Sequence, residues 1–377
     1  MTLRKTLFWI HLVCGIAAGI LIFIMSATGV ALTYQKQLTA WADKRACRVE
    51  RPAGADPLPA SELVERFRRA EPGRVPVALS LSSDPDMPAS VTAAPGGTIF
   101  VNPYTGEVLG PGATGVRSFF RVMTGWHRWL ALSGDNLRWG RAATGAGNLL
   151  FLFLALGGLY LWWPRRWKRA ALRPLLWFRT GIGGKARDGN WHNVFGFWCL
   201  VPLVLIILSG VVISYAWASR LVFQFAGSTM SMPARRGAPA PPPGALEAPL
   251  RLEGADAAIR SVRERVPGWK TLNLDLPAPE AATLSLAVEE GYGGQPQLRS
   301  TVTADRESGK ILKTEHFAGM DRGVRARIWM RFVHTGEYYG LAGQTVAGIA
   351  SLAGLVLVWT GFALALRRYA AWLGRRN

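Results

Sequence analysis

The sequence predicts an α-helical polytopic membrane protein with four transmembrane helices and two small α+β domains outside the membrane, built as an internal two-fold repeat. Of its 377 residues, 50% are hydrophobic and 18% are charged, a balance typical of a membrane protein with sizeable aqueous parts. Four apolar runs are long enough to cross a bilayer. A shift of 181 residues aligns four identical pairs, namely His11 with His192, Gly15 with Gly196, Gly29 with Gly210 and Tyr34 with Tyr215.

The first apolar run, Trp9 to Tyr34, is longer than the hydrophobic region of a secretory signal. We therefore expect an uncleaved transmembrane helix within residues 1–34. The other three spans are expected at residues 146–163, 191–217 and 341–366, and the third span is expected to bend at Pro202.

Two polar segments, residues 35–116 and 218–321, each combine a helical pattern with short alternating strand patterns. Each ends in a similar turn, Asn102 to Gly106 in the first and Asp305 to Gly309 in the second, at an offset of 203. These segments predict two duplicated α+β domains, the second preceded by an extended proline-rich linker at Met232–Pro249. Residues 117–145 and 322–340 mix aromatic residues with Arg and His, which is typical of the membrane interface.

The formal charge of +20 is concentrated in short segments beside the apolar runs. Two Lys or Arg precede the first helix, eight lie in residues 164–190 and four lie in residues 367–377. The positive-inside rule therefore places these segments and both termini in the cytoplasm and the α+β domains on the other side. We expect membrane lipid, and no nucleic acid, as the partner of this charge. Three cysteines without a C-x-x-C pair predict no disulfide framework, zinc site or covalent haem, and the pattern gives no role to Cys47.

Four of the five histidines lie at the predicted edges of the membrane. His11 and His192 begin the first and third helices, whereas His127 and His334 precede the second and fourth. A single histidine at such an edge is usually an interfacial residue. Two pairs at matched depths, one in each leaflet, instead indicate two haem b groups, each held by two imidazoles. The fifth histidine, His316, is expected on the surface or in a turn.

Three arginines near the second pair, Arg121, Arg128 and Arg331, are candidates to bind haem propionates through charge-assisted hydrogen bonds.

With these motifs the chain resembles the PepSY-associated transmembrane family of bacterial inner-membrane proteins, from Arg4 to about Arg368. The resemblance is carried by the histidines that begin helices one and three, by the NPYTGEVL and DRESGKIL segments, and by the HRW and HTGE segments before helices two and four. Within the family it is similar to the FoxB-type ferric-siderophore reductases, which are associated with ferrioxamine uptake.

The resemblance implies a di-haem oxidoreductase of the inner membrane with PepSY-like periplasmic domains, whose haem-iron ligands fall on His11, His192, His127 and His334. Its substrate would be a ferric hydroxamate siderophore such as ferrioxamine, and it would release Fe(II). Some relatives carry a fused flavin reductase domain, whereas this sequence ends at Asn377. We therefore expect a separate flavin reductase or a membrane quinol as the electron donor.

Two alternatives remain open at this point. The α+β domains would bind or regulate another envelope protein without a redox cofactor, or the helices would form a permease for iron, haem or a siderophore.

Overall fold

A computed structural model describes residues 2–164, 167–229, 252–276 and 281–375. Its helices are α1 (Leu3–Leu32), α2 (Gln35–Ala46), α3 (Ala60–Ala70), α4 (Thr114–Trp129), α5 (Leu137–Trp162), α6 (Arg169–Leu176), α7 (Gly184–Trp198), α8 (Leu200–Ser214), α9 (Ala216–Phe225), α10 (Ala255–Arg265), α11 (Arg322–His334) and α12 (Gly340–Leu373). Its strands are β1 (Val75–Ser82), β2 (Ala89–Ala94), β3 (Gly97–Val101), β4 (Val108–Gly110), β5 (Thr271–Asp275), β6 (Thr283–Glu289), β7 (Arg299–Asp305) and β8 (Ile311–His316).

The chain divides into two compact units. A helical unit contains Met1–Gln35, Phe119–Ala226 and Ala326–Asn377, and a sheet unit contains Lys36–Ser118 and Gly227–Arg325. The predicted linker Met232–Pro249 lies outside the described residues.

The helical unit has the composition of a membrane bundle. Among the described residues, three helical stretches are long and apolar enough to cross a membrane, and the α7–α8 pair is a fourth if it counts as one bent span. Helix α1 packs against α5 and α12, α12 also packs against α7 and α8, and α5 packs against α8. These helices fit the predicted polytopic membrane protein.

The third span differs from the prediction of one helix over residues 191–217 bent at Pro202. It begins at Gly184, ends at Ser214, and turns by 67° at Cys199. Proline removes its own N–H, and its ring clashes with the carbonyl four residues earlier, which here belongs to Trp198. The helix therefore breaks before Pro202, and Pro202 itself lies in the first turn of α8.

Two other helices begin earlier or end later than predicted. Helix α5 starts at Leu137, nine residues before the predicted residue 146, and α12 continues to Leu373 beyond the predicted residue 366. The polar helix α2 was not predicted, because its QKQLTAWADKRA sequence has no clear apolar stripe.

The sheet unit corrects the expectation of two separate α+β domains. Its strands form one antiparallel sheet of eight strands, in the order β4-β3-β2-β1-β5-β6-β7-β8. The two halves meet where β1 pairs with β5, with Ala78 opposite Asp275 and Ser82 opposite Thr271. Each half alone would leave an inner edge strand with unpaired N–H and C=O groups, and this pairing satisfies both edges.

Helices α3 and α10 cover one face of the sheet, and their apolar residues pack with alternate strand residues. Phe67 of α3 and Val262 of α10 lie in one core with Leu79 and Leu274. The Asp256 carboxylate on α10 also accepts hydrogen bonds from the Ala60 amide and the Ser61 hydroxyl at the start of α3. The two halves therefore share one hydrophobic core. His316 lies at the exposed end of β8.

Candidate functional site: two histidine pairs in the helical unit

The structure brings the four predicted membrane histidines together as two pairs. His127 on α4 and His334 at the end of α11 have ring centroids 6.1 Å apart, with an angle of 61° between the ring planes. His11 on α1 and His192 on α7 line one cavity between the helices.

The His127/His334 pair is held by matching contacts. His127 Nδ1 lies 2.9 Å from the Met25 carbonyl oxygen and 3.0 Å from the Thr28 hydroxyl. Because a carbonyl oxygen only accepts, Nδ1 carries the proton and donates, which leaves the Nε2 lone pair free.

His334 has the same surroundings one repeat later. Its Nδ1 lies 3.0 Å from the Ile206 carbonyl oxygen and 3.2 Å from the Ser209 hydroxyl. Ile206 and Ser209 lie 181 residues after Met25 and Thr28, the same offset that aligns His11 with His192. Both rings of this pair therefore offer Nε2 to a ligand, with Nδ1 fixed by the backbone of a neighbouring span.

The spacing of this pair fits one metal ion between two imidazoles. A metal–imidazole bond is about 2.0 Å and a ring nitrogen lies roughly 1 Å from its ring centroid, so two axial imidazoles have centroids about 6 Å apart. The observed distance of 6.1 Å agrees with this value. Within the described residues, no group of three or more His, Cys, Asp and Glu side chains forms a metal site. Two imidazoles at this spacing are a ligand set that could hold one haem iron.

Each of the four imidazoles lies against a glycine. A Cβ atom built on the glycine would lie 3.3 to 3.7 Å from Cε1 of the ring. The pairs are Gly29 with His127, Gly210 with His334, Gly158 with His11 and Gly361 with His192. The glycines therefore let each ring pack directly against the surface of a neighbouring helix, most tightly at Gly210, where the distance is 3.3 Å. Sequence reasoning identified Gly29 and Gly210 as repeat positions but not as neighbours of His127 and His334.

The cavity at the other pair is large enough for a cofactor. It has a volume of about 470 Å³, within the range of small-molecule sites, and apolar side chains such as Phe151, Phe197 and Leu203 form most of its wall. Lys185 and Arg368 also line it and supply positive charge. An apolar cavity with two histidines and two cations matches the chemistry of a haem, whose macrocycle is apolar and whose propionates are anionic.

His192 has a hydroxyl partner, as His127 and His334 do. Its Nδ1 lies 2.9 Å from the Thr360 hydroxyl, which is buried and itself donates to the Val356 carbonyl oxygen at 2.7 Å. The Nδ1 atom of His11 is buried and has no hydrogen-bond partner among the described residues.

The three predicted propionate partners differ in position. Arg128 and Arg331 are exposed and lie within electrostatic reach of His334. The Arg128 guanidinium lies 4.8 Å from the Trp129 ring centroid, and that of Arg331 lies 5.6 Å from the Phe332 ring centroid. Arg121 is exposed on α4. Arg128 and Arg331 therefore place positive charge near the His127/His334 pair. The role of all three arginines as propionate partners stays a prediction.

Sequence reasoning missed Lys185 and Arg368 as site residues. Both belong to the basic segments that were used only to predict which side of the membrane is cytoplasmic. Their positions in the sequence could have identified them, because Lys185 lies seven residues before His192 and Arg368 lies seven residues after Gly361.

A known protein family matches the part of the chain that contains both histidine pairs. The family described as the PepSY-associated TM region matches residues 8–368, which is nearly the whole chain. The comparison with curated proteins gives no match. Taken with the spanning helices and the sheet unit, the match shows that the chain belongs to the PepSY-associated transmembrane family.

Proposed function

We propose that this protein is an inner-membrane di-haem b oxidoreductase that reduces Fe(III)-siderophores in the periplasm and releases Fe(II). The observation that carries the proposal is the His127/His334 pair, whose rings have the spacing of two axial ligands and whose Nδ1 atoms are both fixed by backbone carbonyls. Haem, when bound, supplies one-electron transfer.

The protein residues have defined tasks in this proposal. The Nε2 atoms of His127 and His334 would hold the iron of one haem, while the carbonyls of Met25 and Ile206 fix the ring orientations. The apolar spans exclude water from both sites, and no side chain needs to act as a nucleophile or a general acid.

Lys185 and Arg368 extend the proposal to the second site. Both line the cavity that contains His11 and His192, where their charges would pair with two propionates. Without such pairs a buried carboxylate would be costly in this apolar environment.

The two sites lie at different levels of the bundle. His11 is on α1, and the α1 carbonyl that accepts from His127 belongs to Met25, fourteen residues later. At about 1.5 Å per residue this is roughly 21 Å, a large part of the 30 Å hydrocarbon core. With a haem at each level, an electron would cross the membrane in short steps instead of one long step.

The substrate proposal rests on the chemistry of iron and on the resemblance of the sequence motifs to those of FoxB-type reductases. Hard oxygen ligands, such as those of the hydroxamate ferrioxamine, bind Fe(III) much more strongly than Fe(II), so one electron releases the metal. The sheet unit would bind the chelate, and a separate flavin reductase or a membrane quinol would supply the electron.

The proposal is tested by haem content and by reoxidation. Purified protein should contain two haems per chain with a low-spin haem b spectrum. His127→Ala and His334→Ala should each remove one haem, and His11→Ala and His192→Ala should each remove the other. His316→Ala is the matched control, because His316 lies exposed on a strand of the sheet unit, and it should keep both haems.

The reduced protein should be reoxidised by ferric hydroxamate siderophore, with Fe(II) appearing in a chelator trap, and His334→Ala should slow this step. A colourless protein would contradict the proposal and favour a role in binding or regulating an envelope protein. Siderophore transport without haem oxidation would favour a permease.

A further inference from the structure

One of the four imidazoles differs from the other three. The Nδ1 atoms of His127, His334 and His192 each lie within hydrogen-bond distance of a hydroxyl, from Thr28, Ser209 and Thr360 respectively. The Nδ1 atom of His11 is buried, and no protein group among the described residues bonds to it.

One side chain accounts for the missing hydroxyl. Thr360, which contacts His192, corresponds at the 203-residue offset to Gly157, which lies beside His11. The next residues, Gly361 and Gly158, also correspond, and each lies against Cε1 of its histidine. His192 also hydrogen-bonds to the Leu357 backbone, whereas His11 has neither a hydroxyl nor a backbone partner at Nδ1 in the described part of the chain. The glycine at 157 accounts for the missing hydroxyl.

The space at Gly157 would accept a small side chain. A Cβ atom built there would lie 3.7 Å from His11 Nδ1 and 3.9 Å from the nearest Leu7 atom, which are ordinary van der Waals distances. A serine hydroxyl on that Cβ would come within hydrogen-bond reach of Nδ1. A residue with a hydroxyl would therefore fit at position 157, where the sequence has glycine.

The missing partner changes how His11 binds iron. A metal-bound histidine that donates its other N–H to an acceptor is a more basic ligand, and such partners typically change metal affinity by about 10–100-fold. A more basic imidazole stabilises Fe(III) more than Fe(II) and lowers the reduction potential. An imidazole without this partner binds Fe(III) more weakly.

We propose that Gly157 makes His11 the weakest of the four axial ligands and so raises the reduction potential of the haem held by His11 and His192. The inference rests on the proposed function. With haem bound at this site, a higher potential would favour electron transfer to it from a donor, and a weaker His11 bond would let an external ligand compete with His11. Gly157 is in this sense a positioning residue that acts through His11.

The test measures the two reduction potentials of the purified two-haem protein and the binding of carbon monoxide after reduction. Gly157→Ser should lower the potential of the His11/His192 haem, by about 59 mV for each tenfold gain in Fe(III) preference. It should also slow carbon monoxide binding at that haem. Gly157→Ala adds the same Cβ without the hydroxyl and should leave both values unchanged.

Thr360→Val makes the opposite change at His192, because it removes the hydroxyl beside Nδ1. It should raise the potential of the same haem, Thr360→Ser should restore it, and the His127/His334 haem should keep its potential in every variant. Equal potentials in Gly157→Ser and Gly157→Ala, or an unchanged potential in Thr360→Val, would overturn the inference while leaving the two-haem assignment intact. A wild-type protein without haem would overturn the proposed function and the inference together.

Discussion

The substitution Gly210→Ala tests how closely the spans pack around His334. A Cβ atom at this position would lie 2.9 Å from Asn148 Nδ2 and 3.3 Å from His334 Cε1. Asn148 is buried and donates from Nδ2 to the Ile207 carbonyl oxygen at 2.9 Å. Gly210→Ala therefore forces the Asn148 amide to move and presses on the ring at the same time.

The cost of Gly210→Ala has two parts. Overpacking of a tight interior costs about 1–3 kcal/mol, and a buried amide that loses its acceptor costs about 1–3 kcal/mol more. We expect a total destabilisation of about 2–6 kcal/mol. We also expect loss of one of the two proposed haems, because His334 can no longer hold its position.

The assay is thermal unfolding of the detergent-solubilised protein together with haem content per chain. Gly125→Ala is the matched control, because Gly125 also lies in a helix, two residues before His127, and a Cβ there meets nothing within 4 Å. It should be neutral or slightly stabilising, since alanine favours the helix. A Gly210→Ala protein with wild-type stability and two haems would refute the packing argument.

Two further predictions concern the topology and the sheet unit. Reporter fusions should be cytoplasmic at Lys185 and periplasmic at Gly244, and a periplasmic signal at Lys185 would reverse the proposed direction of electron flow. Hydrogen bonds from the Ser228 hydroxyl and from the backbone amides that start α11 hold the pKa of the Asp321 carboxyl below its usual 3.8. The stability that Asp321 contributes is therefore complete well above pH 3.8 and is lost as the pH falls through the lower folded-state pKa. In thermal unfolding scans, Asp321→Asn should lose less stability than the wild type as the pH falls through this range. The same pH dependence in both proteins would contradict the prediction.

The sequence predicted most of the elements because their signals are local. The apolar runs predicted the membrane spans, and alternating residues predicted strands in both polar segments, where the structure has β1–β4 and β5–β8. The position of the bend at Cys199 was missed by three residues, because a proline disrupts the turn before it rather than its own position. Helix α2 was missed because a polar helix has no apolar period to detect.

The membrane class, the approximate spans and the association of His127 with His334 and of His11 with His192 followed from the sequence alone, because apolar length and repeat offset are properties of the chain itself. The contacts that orient the histidine rings could be identified only in the tertiary structure. The carbonyls of Met25 and Ile206 leave no trace in the sequence, since every residue has a carbonyl, and only helix packing selects which one faces an imidazole. The pairing of β1 with β5 likewise depends on backbone hydrogen bonds between distant segments, so two domains expected from the sequence became one sheet.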